Sequence, residues 1–296
     1  MSAKPRVLIT GGEGQLGFEL ARALQETAEV FALDRQALDL ADPDAIIDRC
    51  REIQPALILN PGAYTAVDKA ESEAALAGAI NARAPGILGE EARRLGAPVV
   101  HFSTDYVFDG ASSIAYRETD EPHPQSEYGR SKLAGEQALA QSGAEQVTFR
   151  TSWLYSHRRQ NFYRTMTKLA REREELRVVA DQVGAPTWVR PLASCALAAI
   201  GRVGPRPALA IAPGVYHLSA QGQTSWHGFA EAIVESVPPA ERRVRRVTPI
   251  ASHEYPTAAR RPAFSVLDNS KFEAATGLAL SDWRDAFQSF LADRPH

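Results

Sequence analysis

RVLITGGEGQLGFELARAL, residues 6–24, begins as a short apolar run, passes through four closely spaced glycines and continues with Leu16, Leu20 and Leu24 at intervals of four. The spacing predicts a buried strand, a tight turn and an amphipathic helix whose leucines share one face. The glycines fit two patterns: Gly12, Gly14 and Gly17 spell GxGxxG, while Gly11, Gly14 and Gly17 spell GxxGxxG. Such a turn lets a backbone approach a pyrophosphate and aims helix N-terminal amides at it. Asp34 closes the next apolar run, 20 residues after Gly14, where a carboxylate can hydrogen-bond an adenosine ribose. Dinucleotide binding is therefore expected. Asp34 favours NAD, whereas a guanidinium at Arg35 could hold the 2′-phosphate of NADP, so either NADPH or NADH is expected.

Further apolar runs at VFALD (30–34), ALILN (56–60), PVVHFST (98–104), VTFRTSW (147–153) and LRVVAD (176–181) alternate with helical segments. One of these is predicted from Asp42-Pro43, an N-cap and first-turn proline, to about Ile53. The alternation predicts a Rossmann-type, doubly wound α/β fold on a parallel sheet. After about residue 154 prolines, among them Pro205, divide the chain into short pieces, with helices expected near Ser225 and Ser281. The expected organisation is a dinucleotide-binding domain at 1–153 and a smaller α/β substrate lobe at 154–296. Parts of the latter, about 174–186 and 225–250, are expected to return to the first domain.

The whole chain has 296 residues, 44% of them hydrophobic and 23% charged, with a formal net charge of -3, which suits a core-forming globular protein and offers no general attraction for nucleic acid. The densest basic run, RRVRR at 242–246, reads as a solvated face. Cys50 and Cys195 fall in helical stretches without a CxxC or a histidine-rich partner, and no apolar run is long enough for a membrane span. A cytoplasmic protein that binds neither nucleic acid nor membrane is expected.

In an open parallel sheet, ligands gather beyond the C-terminal ends of the strands. Asn60-Pro61-Gly62-Ala63-Tyr64-Thr65 follows the third strand, and Ser103-Thr104-Asp105-Tyr106 the fourth. Tyr128 and Lys132, in EYGRSKLAGE (127–136), lie one helical turn apart. A phenol with an ordinary pKa of about 10 needs a nearby positive charge to exchange a proton near neutral pH, which Lys132 can supply. Thr104 could hold a substrate oxygen as negative charge develops on it.

The glycine turn, the Ser/Thr after the fourth strand and the YxxxK helix together resemble the extended short-chain dehydrogenase/reductase family. Within it the chain is similar to reductases of dTDP-linked keto sugars, through GGEGQLGFEL, AYTAVDKAESE, HFSTDYVFDG, YGRSKLAGE, RTSWLY, NFYRTM, LAREREELRVVADQVGAPT, GVYHLS and YPTAARRPAFSVLD. The resemblance implies NAD(P)H-dependent reduction of the C4 ketone of dTDP-4-dehydro-6-deoxy-L-mannose, in dTDP-rhamnose and cell-surface polysaccharide synthesis. It implies Tyr128 as proton donor, Lys132 as its pKa modifier and nicotinamide-ribose ligand, and Thr104 as the group that polarises the carbonyl. Gly11, Gly14, Gln15, Leu16 and Gly17 match the pyrophosphate loop, Asp34 the ribose site, Asp39 and Leu40 the adenine pocket, and Gly62, Ala63 and Tyr64 the middle of the cofactor. Thr65, Val67, Thr104, Asp105 and Trp153 match substrate positions, Trp153 reading equally as a core residue. Arg260 and Arg261 suit the diphosphate.

Some relatives resemble Mg2+-bridged dimers. Here Glu19 is present, but Arg190 stands where such a relative offers an acid, so no metal site is expected, and the chain is expected to be a monomer or homodimer. Two alternatives remain open: another sugar-nucleotide reductase or epimerase, which commonly needs a Cys and His near the nicotinamide, and a non-catalytic NAD(P)-binding regulatory subunit.

Overall fold

The computed structural model describes residues 4–293 apart from 202 and 205. The ends of the expected domains, 1–3 and 294–296, and Pro205 lie outside the described residues. The chain opens with β1 (Arg6–Thr10), α1 (Gln15–Leu24), β2 (Glu29–Leu33), α2 (Pro43–Ile53) and β3 (Leu57–Asn60). The expected caps form: the Asp42 side chain accepts from the amides of Asp44 and Ala45, with Pro43 in the first turn. Next come α3 (Val67–Ala70), α4 (Ala74–Gly78), a five-residue π-helical turn (Ala79–Arg83), α5 (Ala84–Leu95) and β4 (Val99–Thr104). The catalytic-type pair lies on α6 (Glu127–Gln141), whose N-cap Ser126 accepts from the Gly129 amide, and β5 (Gln146–Thr151) follows.

These strands build a six-stranded sheet, completed by a late strand, in the order β2, β1, β3, β4, β5 and then Gly214–His217. All of its pairings are parallel. Strand order reverses between β1 and β3, which puts the ligand crevice beyond the ends of those two strands. Buried Val7, Ile9, Leu57, Leu59, Val100 and Phe149 pack on one side of the sheet and Leu8, Ile58 and Val99 on the other.

The second half contains β6 (Leu154–Tyr155), α7 (Phe162–Glu172), β7 (Glu175–Val179), β8 (Val183–Gly184), β9 (Thr187–Trp188), α8 (Val189–Ala198), β10 (Gly214–His217), β11 (Thr224–Ser225), α9 (Trp226–Ser236), β12 (Arg246–Ile250), α10 (Ser270–Thr276) and α11 (Trp283–Ala292). Its own core is rich in aromatic residues, including Tyr155, Phe229, Trp283, Phe287 and Phe290.

The segments that return to the large sheet differ from those expected. β7 and β12, within 174–186 and 225–250, pair with each other in a separate two-stranded sheet. Instead α8 packs into the core beside α1, and β10 pairs with β5. The reason is visible in side-chain alternation: Glu175 and Arg177 are exposed while Leu176 and Val178 are buried, as in a small half-covered sheet. Tyr216 and His217 are buried beside β5. The last long helix also starts one residue late, with Asp282 rather than Ser281 accepting from the Arg284 amide. The arginines of 242–246 flank buried Val244, and two of them, Arg243 and Arg246, pair at the surface with Glu174 and Glu175.

Candidate functional site

The reversal between β1 and β3 is very tight. A Cβ on Gly11 would lie 2.9 Å from Gly62 Cα, and Gly11 has φ +57, a left-handed conformation that favours glycine. A Cβ on Gly17 would come 2.3 Å from the Gly11 carbonyl oxygen, so the helix sits directly on the turn. Below it, Thr10 Oγ1 donates to Asn60 Oδ1 at 2.6 Å and accepts from the Gly62 amide at 3.0 Å. These contacts lock the two crevice walls to each other.

A cleft of about 860 Å3 opens above this turn. Gly11, Gly14, Gln15, Leu16 and Gly17 line one end; Asp34 lines it as well, and Gly62, Ala63 and Thr65 come from the third strand's loop. Tyr128 and Lys132 reach it from α6. The buried hydroxyl oxygens of Ser103 and Thr151, which also line it, have no hydrogen-bond partner among the described residues. A dinucleotide fits this chemistry: backbone amides and a helix N-terminus at one end, and unsatisfied buried hydroxyls for a polar ring substituent at the other. Asp34 Oδ1 accepts from the amides of Gln36 and Ala37, both at 2.9 Å, so one of its oxygens is committed to its own turn.

Other expected residues stand beside the cleft instead of on its wall. Leu40 is buried in the core beneath Gly62, Asp39 caps the Ala41 amide, and Tyr64 donates its hydroxyl to Glu73 at 2.6 Å. Val67 begins α3, where neighbouring Asp68 makes a two-pronged pair with Arg261 at 2.7 Å and 3.0 Å. Arg261 is thus held by a carboxylate, and Arg260 is exposed. Arg261 also lines a second cavity of about 680 Å3 in the smaller lobe, with Phe162, Met166 and Trp226. Trp153 stacks on Trp226, ring centroids 3.5 Å apart and planes at 6°, and its indole also packs so closely on Gly184 that a Cβ there would come 2.5 Å from the ring.

Around the reacting pair the electrostatics are set by burial. Lys132 is 2% exposed and donates from Nζ to the Phe102 carbonyl at 2.6 Å. Desolvation lowers its pKa to about 8, with nearby Glu136 pulling the other way. Tyr128 is pushed up to about 12, again chiefly by desolvation; the Thr104 hydroxyl draws it down and the Asp105 carboxylate adds to the rise. For Tyr128, desolvation thus outweighs the lowering that the Thr104 hydroxyl supplies. Asp105, 2% exposed, accepts from Thr104 Oγ1 at 3.0 Å, and burial raises it to about 6. Tyr106 meets Tyr128 edge to face, centroids 5.5 Å apart.

Several contributors escape sequence reasoning. Asn81, 1% exposed, accepts from the Tyr64 amide at 2.8 Å and donates to both the Tyr64 carbonyl and Ser131 Oγ at 3.0 Å, tying the third strand's loop to α6. Glu136, buried on α6, pairs with Arg150 at 2.7 Å. Arg159 and Gln160 line the cleft from the loop after β6. The i, i+4 spacing of Lys132 and Glu136 was a usable signal; nothing local marks Asn81 or Arg159. Cys50 and Cys195 lie on α2 and α8, away from the cleft lining.

Arg190 bridges Glu19, at 3.2 Å, and Asp293, so a guanidinium stands between these acids and a divalent cation does not fit there.

The chain matches, over residues 5–295, the family model described as the RmlD substrate binding domain. It is 47% identical over 286 residues to a Burkholderia thailandensis protein named dTDP-4-dehydrorhamnose reductase, covering 95% of this chain and 96% of that one. A protein of the same name from Escherichia coli K12 is 41% identical over 291 residues, covering 96% of each. Among solved structures, dTDP-4-dehydrorhamnose reductase from Bacillus anthracis in complex with NADP superposes with a TM-score of 0.90 at 36% identity, covering 98% of this chain and 100% of that one. The fold extends to Thermus thermophilus UDP-glucose 4-epimerase, TM-score 0.77 at 19% identity. With the glycine turn, the Tyr128 and Lys132 helix and full-length coverage in agreement, the chain belongs to the RmlD substrate binding domain family.

Proposed function

We propose that this chain is a dTDP-4-dehydrorhamnose reductase, reducing the C4 ketone of dTDP-4-dehydro-L-rhamnose to dTDP-L-rhamnose with NADPH or NADH. The carrying observation is the placement of Tyr128 and Lys132 on the wall of the same cleft as the glycine turn. In this reading the reduced nicotinamide supplies the hydride. Gly11, Gly14, Gln15, Leu16 and Gly17 hold the diphosphate, Asp34 the ribose end, and Lys132 the nicotinamide ribose. Thr104 positions the keto oxygen, and Tyr128 delivers its proton to that oxygen as it becomes an alkoxide.

The raised Tyr128 pKa suits this direction, since a phenol at about 12 is protonated at neutral pH and still more acidic than a secondary alcohol. The smaller lobe, with its second cavity and Trp153, Trp226 and Arg261, would take the nucleotide end of the substrate. Cys50 and Cys195 stand outside the cleft, which favours simple reduction over epimerisation.

The test is loss of reduced nicotinamide on supply of dTDP-4-dehydro-L-rhamnose, run with NADH and NADPH in parallel and with GDP and UDP keto sugars as controls. Turnover of the dTDP sugar well above both controls is expected. Tyr128→Phe should keep cofactor affinity and lose about 10^2- to 10^4-fold in kcat. Turnover like that of the unaltered protein in this variant would refute the assignment of the proton donor, while absence of turnover with every keto sugar would refute the reaction.

A further inference from the structure

Next to the cleft and sharing Arg159 with it, a cavity of about 370 Å3 lies between α1, the 156–161 loop and the start of α8. Four arginines line it: Arg158, Arg159, Arg164 and Arg190. Two are neutralised. Arg159 pairs with Glu13, and Arg190 with Glu19 and Asp293. The other two have no carboxylate within ion-pair distance among the described residues. Arg164 uses one guanidinium nitrogen on the His157 carbonyl. Arg158 lies over Phe18, its guanidinium carbon 3.8 Å from the ring centroid, and its buried Nε has no hydrogen-bond partner among the described residues.

This arrangement is unusual for a structural feature. The Arg158 Nε is a buried charged donor left unmatched, which is unfavourable, and the exposed Arg164 guanidinium lies on the same cavity wall. An anion would satisfy both groups. Guanidinium forks match phosphate oxygens in geometry, and contact with the Phe18 ring restrains one fork before a ligand arrives.

We propose that this cavity is a second, non-catalytic site for a small phosphate- or diphosphate-bearing anion, held by Arg158 and Arg164. Its volume suits a phosphoryl or diphosphoryl group with a small substituent. The site is tied to the cofactor turn: Ser156 Oγ and Asn161 Nδ2 each donate to Gln15 Oε1 at 2.8 Å, so the loop that carries Arg158 is fastened to the residue opening α1. This inference does not depend on the proposed reaction.

The experiment is calorimetric titration of inorganic phosphate and inorganic pyrophosphate into the full chain already saturated with NADP+, which fills the cofactor's own phosphate sites. Pyrophosphate is expected to bind with a Kd below about 1 mM at low salt, weakening as salt is added. Arg158→Gln/Arg164→Gln should weaken it at least about tenfold while NADP+ affinity stays within about twofold. Should the double variant fail to fold, Arg164→Gln alone, at a more exposed position, gives the same comparison. Equal binding by the unaltered protein and the variants, or no binding by the unaltered protein, overturns the site. So does a sedimentation result in which the substitutions dissociate a dimer without changing pyrophosphate binding, since the arginines would then serve a contact between copies.

Discussion

Lys132 is the charged side chain whose surroundings matter most. Buried against the Phe102 carbonyl, it is held near a pKa of about 8 instead of the usual range above 10. Below pH 8 it is protonated in both folded and unfolded chains, and folding bears the full cost of burying the charge. Between about 8 and the unfolded value the unfolded chain binds more protons, so stability rises with pH across that window. Activity should move the other way. With cofactor-ribose binding assigned to the ammonium form, kcat/KM is expected to fall as pH rises through about 8, and this alkaline limb should be missing from the residual activity of Lys132→Met. A pH profile of the two proteins measures it; an unchanged limb in the variant would assign the titration to another group.

At the scale of the element, α6 shows how closely a helix can be drawn onto a sheet. A Cβ on Gly129 would lie only 2.2 Å from the Tyr106 carbonyl oxygen. A neighbour is tighter still: a Cβ on Gly135 would lie 1.9 Å from the Asn81 carbonyl oxygen. Gly135→Ala should gain about 1 kcal/mol in helix propensity yet lose more to the clash, for a net destabilisation of about 1–2 kcal/mol in urea unfolding. Because Asn81 also holds the Tyr64 loop, the KM for cofactor should rise as well. What the sequence makes legible at this scale is local: the Asp42 and Ser225 caps, the glycine turn, and the Tyr128 and Lys132 spacing each need only neighbouring residues. Asn81 and Arg159 are invisible because their partners come from 17 to 146 positions away. The apolar LRVVAD run does form a strand, β7, but its letters do not say which strand will pair with it.

Across the whole molecule, Arg190 joins parts that the chain order keeps apart. It sits on α8, reaches Glu19 on α1, and takes Asp293 at the end of α11, whose aromatic face belongs to the smaller lobe's core. Glu19 has only 7% of its side chain exposed, so removing the guanidinium would leave a nearly buried carboxylate with only Arg22 as a partner. Arg190→Ala should therefore cost about 2 kcal/mol and lower the melting temperature by several degrees, whereas a chelator should leave it unchanged. A chelator-sensitive melting temperature in the unaltered protein would contradict the guanidinium bridge. The same long-range character explains why the return of α8 and β10 to the large sheet could not be foreseen: Tyr216 and His217 become buried only because β5 offers an open edge.

Trp153 and Trp226, far apart in the chain, lie ring on ring. Two indoles so close and so nearly parallel couple their excited states, which makes the pair a built-in optical gauge. Near-ultraviolet circular dichroism and intrinsic fluorescence can follow the wall of the second cavity as a sugar nucleotide arrives, with no dye attached and no residue replaced.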